Sequence, residues 1–383
     1  MGWCTTSDLD RFTAAAGGYL RLRAAENTLL LTAAQAPGAG WRTQGADAGD
    51  GRSSAPGVLY GWWEPPDGGA PRGAFVHDPA APLLMSSSVP EIAAALAVTL
   101  TKMNRQVYGV DAPSEAADAF AAAWSQRAGT VAKVHRHCNI YRQTGPGLAG
   151  PGAAGPGLTG PAGQLRVATV HDFPLLASWL AAFAAETAER IGSPADLAAE
   201  LIGYGGAVLW EVPQRPARLR DSAHYLVIPH RRDGEPADEP VPQPVALAAL
   251  TRPVAGSVRI SMVYTPQERR RRGYAAAATL AVSRALLASV PPGAPGTPTE
   301  PGAPGTPGLL GGPAVRGRVT EVVMITDRGR PDRWGSRLGY RLVSERTVLR
   351  FGPVTGPLPR LPGAGRSPRL PTGPLPRLPR LRH

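Results

Sequence analysis

Lysine is nearly missing from this chain. Lys102 and Lys133 are the only two in 383 residues, so arginine carries almost all the basic charge. With so much alanine, glycine and proline, that bias reports a GC-rich coding sequence more than a function. Cysteine is as scarce: Cys4 and Cys138 are too few for a disulfide framework, and neither sits in a Cys-x-x-Cys pair. No run approaches the roughly 18 apolar residues of a membrane helix, and residues 1–23 lack an apolar signal-peptide core behind basic residues. A cytoplasmic protein without membrane contact is expected. His135 and His137 lie two apart on one strand face beside Cys138, but no further His/Cys cluster supplies the remaining ligands of a zinc site, so no metal is expected. Gly-x-Ser-x-Gly, His-Glu-x-x-His and Gly-x-x-x-x-Gly-Lys elements are also missing.

The net charge of +12 is unevenly spread. Residues 352–383 hold six arginines and no acid, and repeat Gly-Pro-Leu-Pro-Arg-Leu-Pro at 356–362 and 373–379. Proline at this density forbids helix and ladder, so the tail is predicted to be disordered or polyproline II. Pro359-x-x-Pro362 and Pro376-x-x-Pro379 would suit an aromatic groove on a partner. Half the excess charge lies in this tail, which argues against a nucleic-acid-binding surface and leaves an arginine-tail binder of acidic partners as an alternative. Two other stretches are Gly/Pro-rich: a linker at 145–163 and an insertion at 291–312. A third, mixed-charge insertion spans 213–244 and carries a strand-like run at 223–228.

Residues 1–144 read as a folded unit. Ser88-x-x-Glu91 is a capping box before a helix predicted over 92–105, residues 113–128 form a second helix with Phe120 and Trp124 one turn apart, and 131–141 form a strand. Trp62 and Trp63 are expected to pack inside. This half shows no phosphate-binding turn.

The chemistry is announced at Val263-Tyr-Thr-Pro-Gln-Glu-Arg-Arg-Arg-Arg-Gly-Tyr-Ala275. A strand over 257–264 runs into a basic turn, and a helix predicted over 274–290 follows without interior Gly or Pro. A helix N-terminus leaves backbone N–H groups unpaired and carries partial positive charge, so a pyrophosphate can settle there. The small Gly273 and Ala275 permit close approach, with arginines 269–272 adding charge. Arg270-x-x-Gly273-x-Ala275 resembles the acyl-CoA signature of the GNAT superfamily of N-acetyltransferases. Residues 319–326 follow as a strand, and 339–343 with 348–351 read as a closing hairpin; upstream, 165–169, 173–190, 208–211, 245–250 and the turn 251–256 continue the likeness over 164–351.

The resemblance implies an α/β (α+β) fold: a mixed, mostly antiparallel sheet flanked by helices, preceded by a second, degenerate α/β half at 1–144. It implies acetyl-CoA as co-substrate, held by Met262, Val263, Tyr264, Arg270, Arg271, Arg272, Gly273, Tyr274 and Ala275, and a small-molecule or peptide amine as acceptor. Backbone N–H groups around Met262–Tyr264 would polarise the thioester carbonyl. Glu211 and Asp327, at predicted strand ends, are the candidate bases for the ammonium proton. The chain departs from the pattern where a tyrosine would protonate the leaving thiolate: that position falls on Gly335, beside Trp334. A pantetheine-binding Asn falls on Arg330 before Pro331, and Arg271 replaces a glycine inside the turn. An acyl-CoA-binding or regulatory protein without turnover is therefore the runner-up.

Overall fold

The computed structural model describes residues 2–35, 57–144, 161–187, 191–214, 241–288, 319–328 and 333–353. Residues 145–160 of the linker, 215–240 with the expected strand at 223–228, the 291–312 insertion, Arg330–Pro331 and the tail beyond 353 lie outside the described residues.

The described elements run in the same order twice. The first series is β1 (Gly2–Thr6), α1 (Leu9–Leu22), α2 (Thr28–Gln35), β2 (Leu59–Glu64), β3 (Ala74–His77), β4 (Leu83–Met85), α3 (Pro90–Lys102), β5 (Gly109–Pro113), α4 (Ser114–Ala128) and β6 (Thr130–Thr144). The second is β7 (Gln164–Val167), α5 (Phe173–Thr187), α6 (Pro194–Tyr204), β8 (Ala207–Gln214), β9 (Val241–Leu250), β10 (Ser257–Tyr264), α7 (Tyr274–Ala288), β11 (Glu321–Asp327), α8 (Arg333–Arg337) and β12 (Arg341–Pro353).

All twelve strands join one sheet in the order β1-β2-β3-β4-β5-β12-β6-β11-β10-β9-β8-β7. Only β4/β5 and β10/β11 run parallel among the described strands. The fold class implied by the resemblance is thus present, with an added feature: the halves exchange their last strands. β12 lies on β5 of the first half, and β6 lies on β11 of the second. Read from either end, the sheet therefore has the same order of elements.

Alternation along the strands sorts the helices onto two faces. In the second half, Val208, Ala248, Val258, Ile260, Val322 and Met324 pack with Val282, Leu286 and Leu287 of α7. Their neighbours Ala207, Leu209, Leu247 and Ala249 pack against Leu176 and Leu180 of α5 and Ala198 and Leu201 of α6. The first half does the same. Phe75, Leu83, Met85 and Val110 meet α3 and α4, while Tyr60, Ala74, Val76 and Leu84 meet α1 and α2. Phe120 and Trp124 stack with centroids 6.0 Å apart, Trp62 is buried, and Trp63 stands edge-on to Trp3.

Two expectations need correction. Ser88 does not cap α3: Val89 is the N-cap, without a side-chain bond, and Pro90 sets the helix start, since proline suits the first turn. The runs at 339–343 and 348–351 are not a hairpin either. The residues between them contain no Gly, Pro, Asn or Asp, and the chain continues as the single strand β12, bulged at Leu342/Ser344 and paired with both β5 and β6.

Arg346 fastens this exchange. Its side chain is 1% exposed; Nε donates to Asp111 Oδ1 at 2.7 Å, and Nη2 donates to the carbonyls of Asp111 (2.6 Å) and Met85 (3.2 Å). One cation on β12 thus grips β5 and β4. Asp111→Ala strands a buried guanidinium and should cost about 3–5 kcal/mol in urea unfolding, whereas Asp111→Leu with Arg346→Met should recover most of it. A second expectation concerns His77. Burial, with the Arg105 charge, holds its imidazole down to about 4 from the ordinary 6.5. The unfolded chain therefore protonates first: the stability is complete above pH ~6.5 and declines by about 3 kcal/mol as pH falls through ~4. Denaturation midpoints of His77→Leu should lack that part of the acid sensitivity.

Candidate functional site

The parallel pair β10/β11 comes apart partway along. It holds register from Ser257↔Glu321 to Ile260↔Met324. At Ser261 β10 bulges, with the Ser261 hydroxyl donating to the Ala249 carbonyl at 3.1 Å. Beyond it, Met262, Val263 and Tyr264 pair only with Ala249, Ala248 and Leu247 of β9. Ile325, Thr326 and Asp327 meanwhile pair with Ile140, Asn139 and Cys138 of β6. The result is a wedge between two strands whose facing edges have no strand partner among the described residues. Such edges offer N–H and C=O groups to an extended polar chain.

At the mouth of the wedge, residues 265–273 turn into α7. One 3-10 turn (Gln267–Arg269) consumes the Arg269 and Arg270 N–H groups, which donate to Pro266 and Gln267 carbonyls. Arg271 (φ 61°) and Gly273 (φ 81°) then take left-handed backbone, and the helix ladder begins with Ala277 N–H donating to Gly273 C=O at 2.9 Å. From Arg271 to Ala276 no backbone N–H donates to an acceptor among the described residues. A run of unclaimed donors at the start of a four-turn helix is a cradle for an anion. Glycine at 273 is set by its dihedral more than by space, because an added Cβ would meet only Pro161 Cδ, at 3.4 Å. Arg271 bears a cost of about 1–2 kcal/mol for the same region.

Arg270 departs from its expected role. Its Nε donates to the Thr265 carbonyl at 2.9 Å, its Nη2 bonds the Glu186 carboxylate, and its guanidinium lies 5.8 Å over the Tyr264 ring. Tyr264 in turn donates to Glu186 Oε1 at 3.3 Å and packs against Trp179 and Phe183. Arg270 therefore ties the turn to the end of α5, and the exposed Arg271 and Arg272 are left as the free charges of the cradle. Glu186 carries no local sequence signal; it lies 84 positions from Arg270.

The two candidate acids separate. Glu211 is buried on β8, with β9 between it and β10, and its Oε1 accepts from Arg166 Nε at 2.8 Å. Arg166 also grips Asp172 at 2.7 and 3.0 Å, and this bond holds the Asp172 carboxyl down to about 2. Asp172 completes a capping box with Thr169. Glu211 thus belongs to a network that pins β7 to β8, and the structure does not bring it to the wedge. Asp327 does reach the rim. It is 52% exposed at the end of β11, 3.6 Å from Arg136 Nε. Neighbouring Cys138 is no nucleophile, since burial pushes its thiol up to about 12. His137 Nδ1 is 3.1 Å from Thr347 Oγ1, and among the described residues no three His, Cys, Asp or Glu side chains converge as metal ligands would.

Gly335 has a clear occupant beside it. A Cβ there would stand 3.0–3.1 Å from the ring of Tyr141, which arrives on β6 from the first half. The space a tyrosine at 335 would use is filled by a buried aromatic of the other half. Gly335→Tyr should therefore lower stability by about 1–3 kcal/mol through overpacking, read as a fall in the thermal midpoint; unchanged melting would contradict this packing.

No family model matches the chain, and no curated protein matches it. Among solved structures, it is similar to a GCN5-related N-acetyltransferase from Kribbella flavida (18% identity, 75% of this chain and 88% of that one, TM-score 0.40). It is also similar to a GCN5-related N-acetyltransferase from Sphaerobacter thermophilus (15%, 91% and 95%, TM-score 0.44). A tandem GNAT protein from the clavulanic acid biosynthesis pathway gives 10% identity, 91% and 98% coverage, and a TM-score of 0.42. At these identities and scores the likeness carries no functional weight, which rests on the wedge and its cradle.

Proposed function

We propose that the chain is a cytoplasmic N-acetyltransferase that moves the acetyl group of acetyl-CoA directly to a primary amine. A single observation carries this reading: a parallel strand pair that parts at a bulge and opens onto a helix whose first N–H groups nothing in the described chain uses. An extended thioester with a pyrophosphate at one end fits both features.

On this reading the N–H groups from Arg271 to Ala276 hold the pyrophosphate, with Arg271 and Arg272 adding charge. Met262–Tyr264 pair with the pantetheine arm and polarise the thioester carbonyl. Asp327, on the rim, takes the ammonium proton directly or through water, so that the neutral amine attacks. The carbon–nitrogen bond forms as the carbon–sulfur bond breaks, and holding both substrates side by side supplies much of the rate. Glu211 drops out as a base. Gly335 supplies no acid, and this supports a second reading, an acyl-CoA-binding protein without turnover.

Acetyl-CoA at about 100 times its dissociation constant should stabilise the protein by roughly 2.7 kcal/mol in a thermal shift assay. Arg271→Glu with Arg272→Glu should abolish that shift while the variant stays folded; no shift with the wild type at millimolar acetyl-CoA removes both readings. An acceptor screen reading released thiol separates them, with turnover required of the first. The arginine-tail alternative predicts instead a binding to acidic partners that falls steeply with salt and disappears when 352–383 are deleted.

A further inference from the structure

Arg259 is a buried cation without a partner. It stands on β10, opposite Val323, immediately before the last paired position Ile260. Val258 and Ile260 turn toward α7, so Arg259 and Ser257 project to the opposite face, the one that carries α5 and α6. Arg259 is 8% exposed. Its backbone N–H donates to Thr251 Oγ1 at 3.1 Å, but among the described residues its guanidinium has no hydrogen bond or ion pair, and Nη1 is wholly enclosed. Ser257 Oγ, on the same face two residues earlier, is likewise enclosed without a partner.

A guanidinium stays protonated inside a protein, and isolating one from water and from counter-ions is among the costliest things a fold can do. Burial holds Arg259 down only to about 10, so the charge persists at neutral pH. The other charged and titratable groups nearby do not discharge it. Glu321 faces Ser257 across the strand pair but leans on Arg142 at 3.6 Å, Asp111 is committed to Arg346, and Tyr204 donates to the Leu250 carbonyl beneath Arg252.

We propose that Arg259 and Ser257 form a buried subsite for a carboxylate carried by the amine acceptor, so that the acceptor class is amino acids or molecules built on them. This rests on the acetyltransferase reading. The anion belongs to the acceptor because the pyrophosphate cradle opens at the N-terminus of α7, on the other face of the sheet. A carboxylate suits the site better than a phosphate. One guanidinium and one hydroxyl balance a single charge, and the Glu321 and Asp111 carboxylates nearby oppose a second.

The test compares matched pairs: the standard L-amino acids against their decarboxylated amines, such as lysine with cadaverine and phenylalanine with phenethylamine. Read first without acetyl-CoA, by thermal shift, at least one amino acid should stabilise the wild type where its amine does not. Arg259→Met should lose that difference and yet melt higher than the wild type when unliganded, because a partnerless buried charge has been removed. Ser257→Ala should weaken the same amino acid about 3- to 10-fold, and Arg259→Met about 10- to 100-fold, with acetyl-CoA affinity unchanged. In turnover the loss should appear in kcat/KM for the amino acid and not for its amine. A lower melting point of Arg259→Met would reveal a structural partner and overturn the proposal, as would equal responses to amino acids and amines. Should amino acids stabilise through Arg259 while acetyl-CoA does not bind, the subsite stands and the acetyltransferase reading falls.

Discussion

Backbone hydrogen bonding decides whether two neighbouring strands can separate. A strand that leaves its partner exposes a row of N–H and C=O groups, and a buried row of that kind is prohibitively costly. Here each parting strand keeps a ladder on its far side. β10 holds β9 through Met262–Tyr264, and β11 holds β6 through Ile325–Asp327. The wedge is therefore possible only because β6, a strand of the first half, crosses over to support β11. Arg346 fixes the reciprocal crossing by tying β12 to β5 and β4.

This dependence gives the first half a physical job. It repeats the element order of the second but has no cradle of its own. β4 passes to α3 through residues 86–89 alone, without glycine, and Pro90 removes a donor at the helix start. The corresponding passage in the second half runs from 265 to 273 and contains two left-handed positions. What the first half supplies is mechanical: Cys138, Asn139 and Ile140 as the ladder under β11, and Tyr141 as the wall against Gly335. The result is a sheet in which one half, without a cradle, braces the other.

Local chemistry was legible in the sequence where one element sufficed to state it. The strand 257–264 and the start of α7 at Tyr274 both follow from residue pattern within a few positions. The misreadings have local causes too. Ser88-x-x-Glu91 has the form of a capping box, but Pro90 fixes the helix start, and the stretch 344–347 has no Gly, Pro, Asn or Asp to support a hairpin. Side-chain pairings across the chain were not legible. Glu211 looks like a free strand-end acid until Arg166 is seen beside it, and Arg270 looks like a phosphate ligand until Glu186 is. Strand exchange was equally hidden, because the apolar pattern of β12 is the same whether it pairs with its own half or the other.

The Arg270–Glu186 link changes what the basic turn does. Charge in the run 269–272 reads as attraction for phosphate, but Arg270 spends its hydrogen bonds on the Thr265 carbonyl and on α5. Those bonds hold the residue just before the two left-handed positions that aim the N–H groups outward. Arg271 would not adopt φ 61° unaided, since a side chain disfavours that region by about 1–2 kcal/mol. A clamp on one side and the α7 ladder on the other over-determine the turn, as strained backbone at a binding site requires. The donors are thereby oriented before any anion arrives, which lowers the ordering cost of binding. Because Glu186 lies in the last turn of α5, and α5 packs on the face where Arg259 lies, the same clamp sets that face of the sheet relative to the cradle. The basic run thus serves as a joint between α5 and the start of α7, with only part of its charge turned outward.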